Sequence, residues 1–130
     1  MHEMSIAIEI VHQAERIARE HQASRVDEIE VEVGVMQQVV HEALHLAFEA
    51  AVEQTWLQGV KLRITEEPLA AICDDCQNTF TPQIDCFVCP RCGQANARIT
   101  AGDQILLKSM VCQTPEETAE TYRKAGYHFI

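Results

Sequence analysis

Two Cys-x-x-Cys pairs, Cys73-Asp74-Asp75-Cys76 and Cys89-Pro90-Arg91-Cys92, stand twelve residues apart and set the strongest limit on what this chain can fold into. Two thiolates separated by two residues can bind one ion from a tight turn. Two such turns supply four sulfur ligands in a tetrahedron. Gly93 follows the second pair and permits backbone geometry that other residues resist. The spacing reads as a zinc-ribbon-like site, in which a four-coordinate zinc folds its module and leaves no position open for hydrolysis. Iron in a rubredoxin-like site is the secondary reading, because tetrahedral thiolate sites also hold iron. Cys86 makes a C-x-x-C-x-x-C string with Cys89 and Cys92 that partly matches an iron–sulfur pattern. The matched upstream pair favours Cys86 as a neighbour outside the site, with replacement of Cys89 as the alternative. Cys112 stands apart and reads as a lone cysteine at a strand end.

All six cysteines fall between residues 73 and 112, where a disulfide-stapled chain would spread its bridges. No run of 18 apolar residues predicts a membrane span. The start, Met1-His2-Glu3-Met4, has no basic segment feeding an apolar stretch. These features predict a cytoplasmic protein with reduced thiols. Twenty acidic residues against ten basic ones give a net charge of -10, which disfavours nucleic acid or an anionic membrane as main partner. A metal cation or a basic protein patch fits that charge better.

Around the cysteine segment the apolar pattern is regular. Residues 5–21 read as a helix, with Ile6, Ile10, Ala14, Ile17 and Ala18 on one face and Ser5 as a weak cap. Val26 to Val35 alternates as a strand, Ile29, Val31 and Val33 opposite Glu28, Glu30 and Glu32. Residues 41–57 read as a second helix, closed by Gly59, and Val60, Leu62 and Ile64 begin a second strand. Lys61 and Arg63 on that strand could face the three glutamates. Residues 68–102 hold five cysteines and three prolines with little apolar periodicity, and Ile105 to Val111 reads as a third strand returning to the sheet. The expected fold is α+β, a small three-stranded mixed sheet with two helices carrying an inserted zinc-ribbon-like domain. The division is 1–67 with 103–112 for the α/β part and 68–102 for the insertion. Residues 113–130 read as a C-terminal helical extension, with Thr114 as cap, Pro115 in the first turn, Glu117 completing a capping box and Gly126 at the stop.

Two further places could hold metal. His41-Glu42-Ala43-Leu44-His45 spells H-E-x-x-H, which on a helix puts two imidazoles one turn apart, as in zinc peptidases. A catalytic zinc needs a third ligand, and the extended motif's Gly and His positions are Phe48 and Ala51. Glu66 or Glu67 could supply that ligand from a strand end. A small metallopeptidase and a non-catalytic zinc-ribbon interaction protein are the alternative functions. At the amino terminus, His2 can chelate with its imidazole and its own backbone nitrogen. The Met1 amine and the Glu3 backbone nitrogen can add to it. Such a nitrogen-rich planar set favours Ni²⁺ or Cu²⁺.

Taken together, the chain resembles the HypA/HybF family of nickel-insertion accessory proteins over roughly residues 1–112. The resemblance rests on Met1-His2-Glu3, Val31-Glu32-Val33-Gly34, Glu42-Ala43-Leu44 with Ala47-Phe48, the paired cysteines, and Ile99-Thr100-Ala101-Gly102-Asp103. It implies a non-enzymatic nickel metallochaperone for [NiFe]-hydrogenase, with nickel at Met1, His2 and Glu3 and structural zinc at Cys73, Cys76, Cys89 and Cys92. It also implies a nickel-delivery GTPase (HypB-like) and the hydrogenase large subunit as partners, and urease maturation proteins for some members. Three departures stand out. Val39-Val40-His41-Glu42 replaces the family's usual Val-Glu-Pro-Glu, Gln77 follows the first cysteine pair where Gly is common, and residues 113–130 extend past the usual end.

Overall fold

The computed structural model describes residues 2–114 and, as backbone, residues 119–128. Helix α1 spans His2–Glu20, and its buried residues, Ile6, Ala7, Ile10, Val11, Ala14, Ile17 and Ala18, recur every three or four positions. It begins three residues before the expected start, so Ser5 is inside the helix and not its cap. Gln22 takes a left-handed φ of 54° after the last turn, and the Ala23 N–H bonds back to the Ala18 carbonyl at 2.9 Å.

Strand β1 (Arg25–Gly34) leads through a 3-10 turn (Val35–Gln37) into α2 (His41–Val52). Helix α2 ends five residues earlier than its periodicity suggests. Glu53 leaves helical geometry at ψ 132°, and the Thr55 hydroxyl bonds to the Val52 carbonyl at 2.6 Å. Strand β2 (Lys61–Glu67) then runs parallel to β1, as a helical crossover allows.

Strands β3 (Ala70–Cys73), β4 (Thr79–Phe80) and β5 (Ala97–Ala101) form a separate sheet in the order β4-β3-β5. The sequence pattern did not announce these strands. Strand β6 (Ile105–Gln113) returns antiparallel to β1, completing the expected mixed arrangement β2-β1-β6.

A fourth strand, β7 (Ala119–His128), pairs antiparallel with β6 from Gln113↔Ala119 to Leu106↔His128. This corrects the expected C-terminal helix. The helix reading rested on local capping signals, two of which (Pro115 and Glu117) lie outside the described residues. The unpaired edge of β6 offers a row of backbone donors and acceptors, and Thr121, Tyr122 and Tyr127 suit a strand. Tertiary pairing thus overrides local propensity.

One face of the large sheet is covered. Ile29 and Val31 on β1 and Ile105, Leu107 and Met110 on β6 are fully buried in one cluster with Phe48, Leu44, Ile6, Ile10 and Ile17. Each such side chain contributes roughly 1.5–3 kcal/mol by leaving water. The other face carries Glu28, Glu30 and Glu32. Arg63 reaches Glu28 at 3.4 Å, the Ser109 hydroxyl donates to Glu30 at 3.1 Å, and Lys108 reaches Glu32 at 3.3 Å.

The two sheets meet at a tight backbone crossing. A Cβ at Gly34 would lie 2.3 Å from the Gly102 carbonyl oxygen, and one at Gly102 would lie 2.6 Å from that of Pro68. The Gly34 N–H bonds to Gln104 at 2.8 Å, Met36 N–H to Gly102 at 2.9 Å, and the Gln37 side chain to the Asp103 carbonyl at 2.8 Å. Glycine is needed at Gly34 for space, and at Gly102 for both space and its φ of +89°.

Candidate metal centres

The four cysteines are delivered by two turns of the same build. In the first, the Gln77 N–H closes on the Cys73 carbonyl at 2.8 Å; in the second, Gly93 closes on Cys89 at 2.9 Å. Gln77 and Gly93 both hold left-handed φ angles, 63° and 76°, which explains why glycine suits that place and why Gln77 carries strain. The first turn is tied to β5. Asp74 N–H bonds to the Asn96 carbonyl at 3.0 Å, and Arg98 meets the Asp74 carboxylate at 3.2 Å.

All four sulfurs lie within 4.8 Å of one another, with Cys73–Cys92 and Cys76–Cys89 each at 3.6 Å. A disulfide would need about 2.05 Å. Four sulfurs about 2.3 Å from a zinc ion stand about 3.8 Å apart in a regular tetrahedron. The donor set and its spacing therefore fit a closed four-thiolate zinc centre. Cys86, exposed and bridged to Gln83, is not one of the four, and neither is Cys112, buried on β6.

The thiols are electrostatically unequal. Burial pushes Cys89 up, but N–H groups of Cys92 and Arg91, the Cys76 thiol and the Asn78 amide outweigh it and bring the thiol down to about 6. At Cys92 a bond from the Gln94 backbone lowers the thiol, while desolvation and contact with Cys73, Cys76 and Cys89 drive it up to about 12. One sulfur readily gives up its proton, and its negative charge then resists ionisation of its neighbours. A divalent cation removes that conflict by taking the protons' place. Arg91 contributes its backbone N–H to Cys89, a role that its charge alone did not suggest.

At the amino terminus, Met1 lies outside the described residues. His2 and Glu3 form the first turn of α1, whose N–H groups have no partners inside the helix. The His2 imidazole Nδ1 is 4.0 Å from the Glu3 carboxylate, which also accepts the Val40 N–H at 3.4 Å. Glu3 thus ties the terminus to the start of α2, a contact absent from any sequence motif.

The H-E-x-x-H residues occupy the first turns of α2. His41 Nε2 lies 3.7 Å from the Glu66 carboxylate, while Glu42 and His45 are exposed. Among the described residues, no group of three ligands close enough to hold an ion includes them. No described helix is long and apolar enough to cross a membrane.

Comparison with known proteins finds matches along most of the chain. The family model described as "Hydrogenase/urease nickel incorporation, metallochaperone, hypA" matches residues 1–112. A hydrogenase maturation factor HypA from Roseiflexus sp. (strain RS-1) is 38% identical over 122 residues, 92% of this chain and 99% of that protein. A hydrogenase maturation factor HybF from Klebsiella pneumoniae is 34% identical, covering 85% of this chain and 97% of the relative. The solution structure of the Ni metallochaperone HypA from Helicobacter pylori superposes with a TM-score of 0.67 at 28% identity, over 88% of this chain and 99% of that one.

Proposed function

The chain belongs to the HypA family of hydrogenase and urease nickel-incorporation proteins, and from that premise we propose how its residues divide the work. It is a nickel metallochaperone of hydrogenase maturation, not an enzyme, and its partners belong to hydrogenase maturation. The H-E-x-x-H string is accordingly not a peptidase site. Nickel is the cargo, and the cysteine cluster fits structural zinc.

In this reading the terminal amine of Met1, the imidazole and backbone nitrogen of His2 and the backbone nitrogen of Glu3 hold Ni²⁺. These are nitrogen donors suited to nickel over hard cations. A site at the chain's end releases its ion with little rearrangement of packed structure, which suits a carrier. Cys73, Cys76, Cys89 and Cys92 hold Zn²⁺ and keep the inserted module folded. Residues 1–67 and 103–112 form the nickel-handling domain and 68–102 the zinc domain. A nickel-delivery GTPase hands on or receives the ion, and the hydrogenase large subunit is the destination. A urease apparatus is a second client class, and the family description names both enzymes. The cytoplasm is the setting, in keeping with cysteines that form no disulfide.

The match of the family model across residues 1–112 carries this reading. The test is nickel content of the hydrogenase large subunit in cells lacking this protein, restored with the wild-type chain or with His2→Ala. The wild type should restore nickel and His2→Ala should fail while accumulating normally. Full nickel loading in the absence of the protein, or full restoration by His2→Ala, would overturn it.

A further inference from the structure

His41 belongs to none of the functions assigned above, yet its surroundings are unusual for a surface histidine. Its Nε2 is closed off from solvent and makes no hydrogen bond. The nearest acidic atom is the Glu66 carboxylate oxygen on β2, 3.7 Å away. That is too long for a hydrogen bond. Two ligands each about 2.1 Å from one ion stand about 3.4 Å apart in a tetrahedral site. The gap is thus a few tenths of an ångström from the spacing of two ligands that share a cation.

A third donor lies one helical turn along. His45 follows His41 at i+4, so their side chains leave α2 on the same side. Leu62 faces the core, and Ile64 packs against it. Alternation places Glu66 on that same helix-covered side of β2. In the structure His45 is exposed and does not close on the pair. An exposed imidazole can turn at its two side-chain torsions at small cost.

We propose that His41, His45 and Glu66 form a second metal site, taking a borderline divalent transition-metal cation. Two imidazoles and one carboxylate form a donor set that holds such ions and leaves positions open. The site is separate from the four sulfurs and uses no atom of the amino terminus. Val40, the residue before His41, donates its N–H to Glu3, so the site adjoins the terminal residues. An ion held there with open positions would lie next to the proposed nickel chelate.

The test titrates Ni²⁺ into full-length, zinc-loaded His2→Ala protein, followed by native mass spectrometry and calorimetry, with Co²⁺ absorption as a geometric probe. One nickel should still bind, more weakly than to the wild-type chain, with zinc retained. His41→Gln, His45→Gln and Glu66→Gln should each weaken that binding at least tenfold with unchanged circular dichroism. The same three substitutions with His2 intact should spare the tightest nickel, which separates this site from the terminal one. No nickel bound to His2→Ala would overturn the proposal. So would nickel uptake that displaces zinc, or affinity unchanged by His45→Gln or Glu66→Gln.

Discussion

The helix–sheet body and the cysteine module are held together by different means. Every residue of the main buried cluster, from Ile6 to Cys112, comes from the two helices, strands β1, β2 and β6, or Leu57 in the turn before β2. None comes from residues 68–102. The module buries little beyond Leu69, Ala71, Pro82, Cys73 and Cys89, and two of these are cysteines. A segment of this size cannot bury enough apolar surface to offset its own ordering, and in the proposed reading metal–sulfur bonds supply what the core lacks. On that reading the chain contains one part whose order comes from water and one whose order comes from an ion, joined where Gly34, Gly102 and Pro68 touch.

The sharpest way to break that contrast is to remove a sulfur. Cys89→Ser should release zinc and remove the hydrogen-exchange protection of residues 70–101. The helical signal of α1 and α2 should stay within about a tenth of its original value. Structural zinc in small modules is worth roughly 10–16 kcal/mol, so no single change outside the four cysteines should cost the module as much. If the helices melt together with the module, the two parts are not independent.

Next in size is the junction. Gly34→Ala forces a methyl group into the Gly102 carbonyl, and overpacking of this kind costs about 1–3 kcal/mol or more. Chemical denaturation should show the loss, and it should appear in the body while zinc stays bound. An unchanged midpoint would mean that the crossing can relax.

A smaller effect should come from Gln77→Gly. The left-handed position costs a non-glycine residue roughly 1–2 kcal/mol, partly offset by the extra freedom of glycine in the unfolded chain. The substitution should slow zinc loss to a chelator without altering the melting of the body. Faster loss would show that the Gln77 side chain, which donates to the Asp74 carbonyl at 3.1 Å, outweighs the strain.

The smallest effect concerns pH and belongs to the body. The hydrogen bond with Glu32 holds the Glu67 carboxyl above its usual range, with desolvation adding to the shift. The same bond, helped by Lys108, holds Glu32 below its own. A raised acid stabilises the fold while protonated, and that contribution is lost as pH rises through its folded value. A lowered acid contributes above the ordinary carboxylate value and loses its contribution as pH falls. Glu67→Gln keeps a donor at every pH, so it should raise the melting temperature at pH 7 and give no gain near pH 4. An equal gain at both would remove the shared proton from the account.

How much of this was legible in the sequence follows the same division. The body announced itself, because a water-driven core writes a period into the chain: Ile29, Val31 and Val33 alternate, and Ile6, Ile10 and Ile17 recur at helical spacing. The two Cys-x-x-Cys turns were legible because thiolate spacing is a local property. Strands β3, β4 and β5 were not, since a metal-held sheet needs no apolar alternation. β7 was misread because Thr114, Pro115 and Glu117 give local helix signals, while the edge of β6 is a non-local one. Glu66 was visible as a possible ligand, but its approach to His41 depends on how β2 ends beneath α2. The tie from Glu3 to the Val40 N–H involves a backbone donor, which no side-chain pattern can reveal.

The most direct test of two metals held in two differently built regions is native mass spectrometry of the untagged chain during Ni²⁺ titration, with His2→Ala alongside. The account predicts one zinc retained throughout in both proteins, and a first, tightest nickel that the wild type binds and His2→Ala does not. Equal affinity for that first nickel in the two proteins, or nickel entering only as zinc leaves, would contradict it.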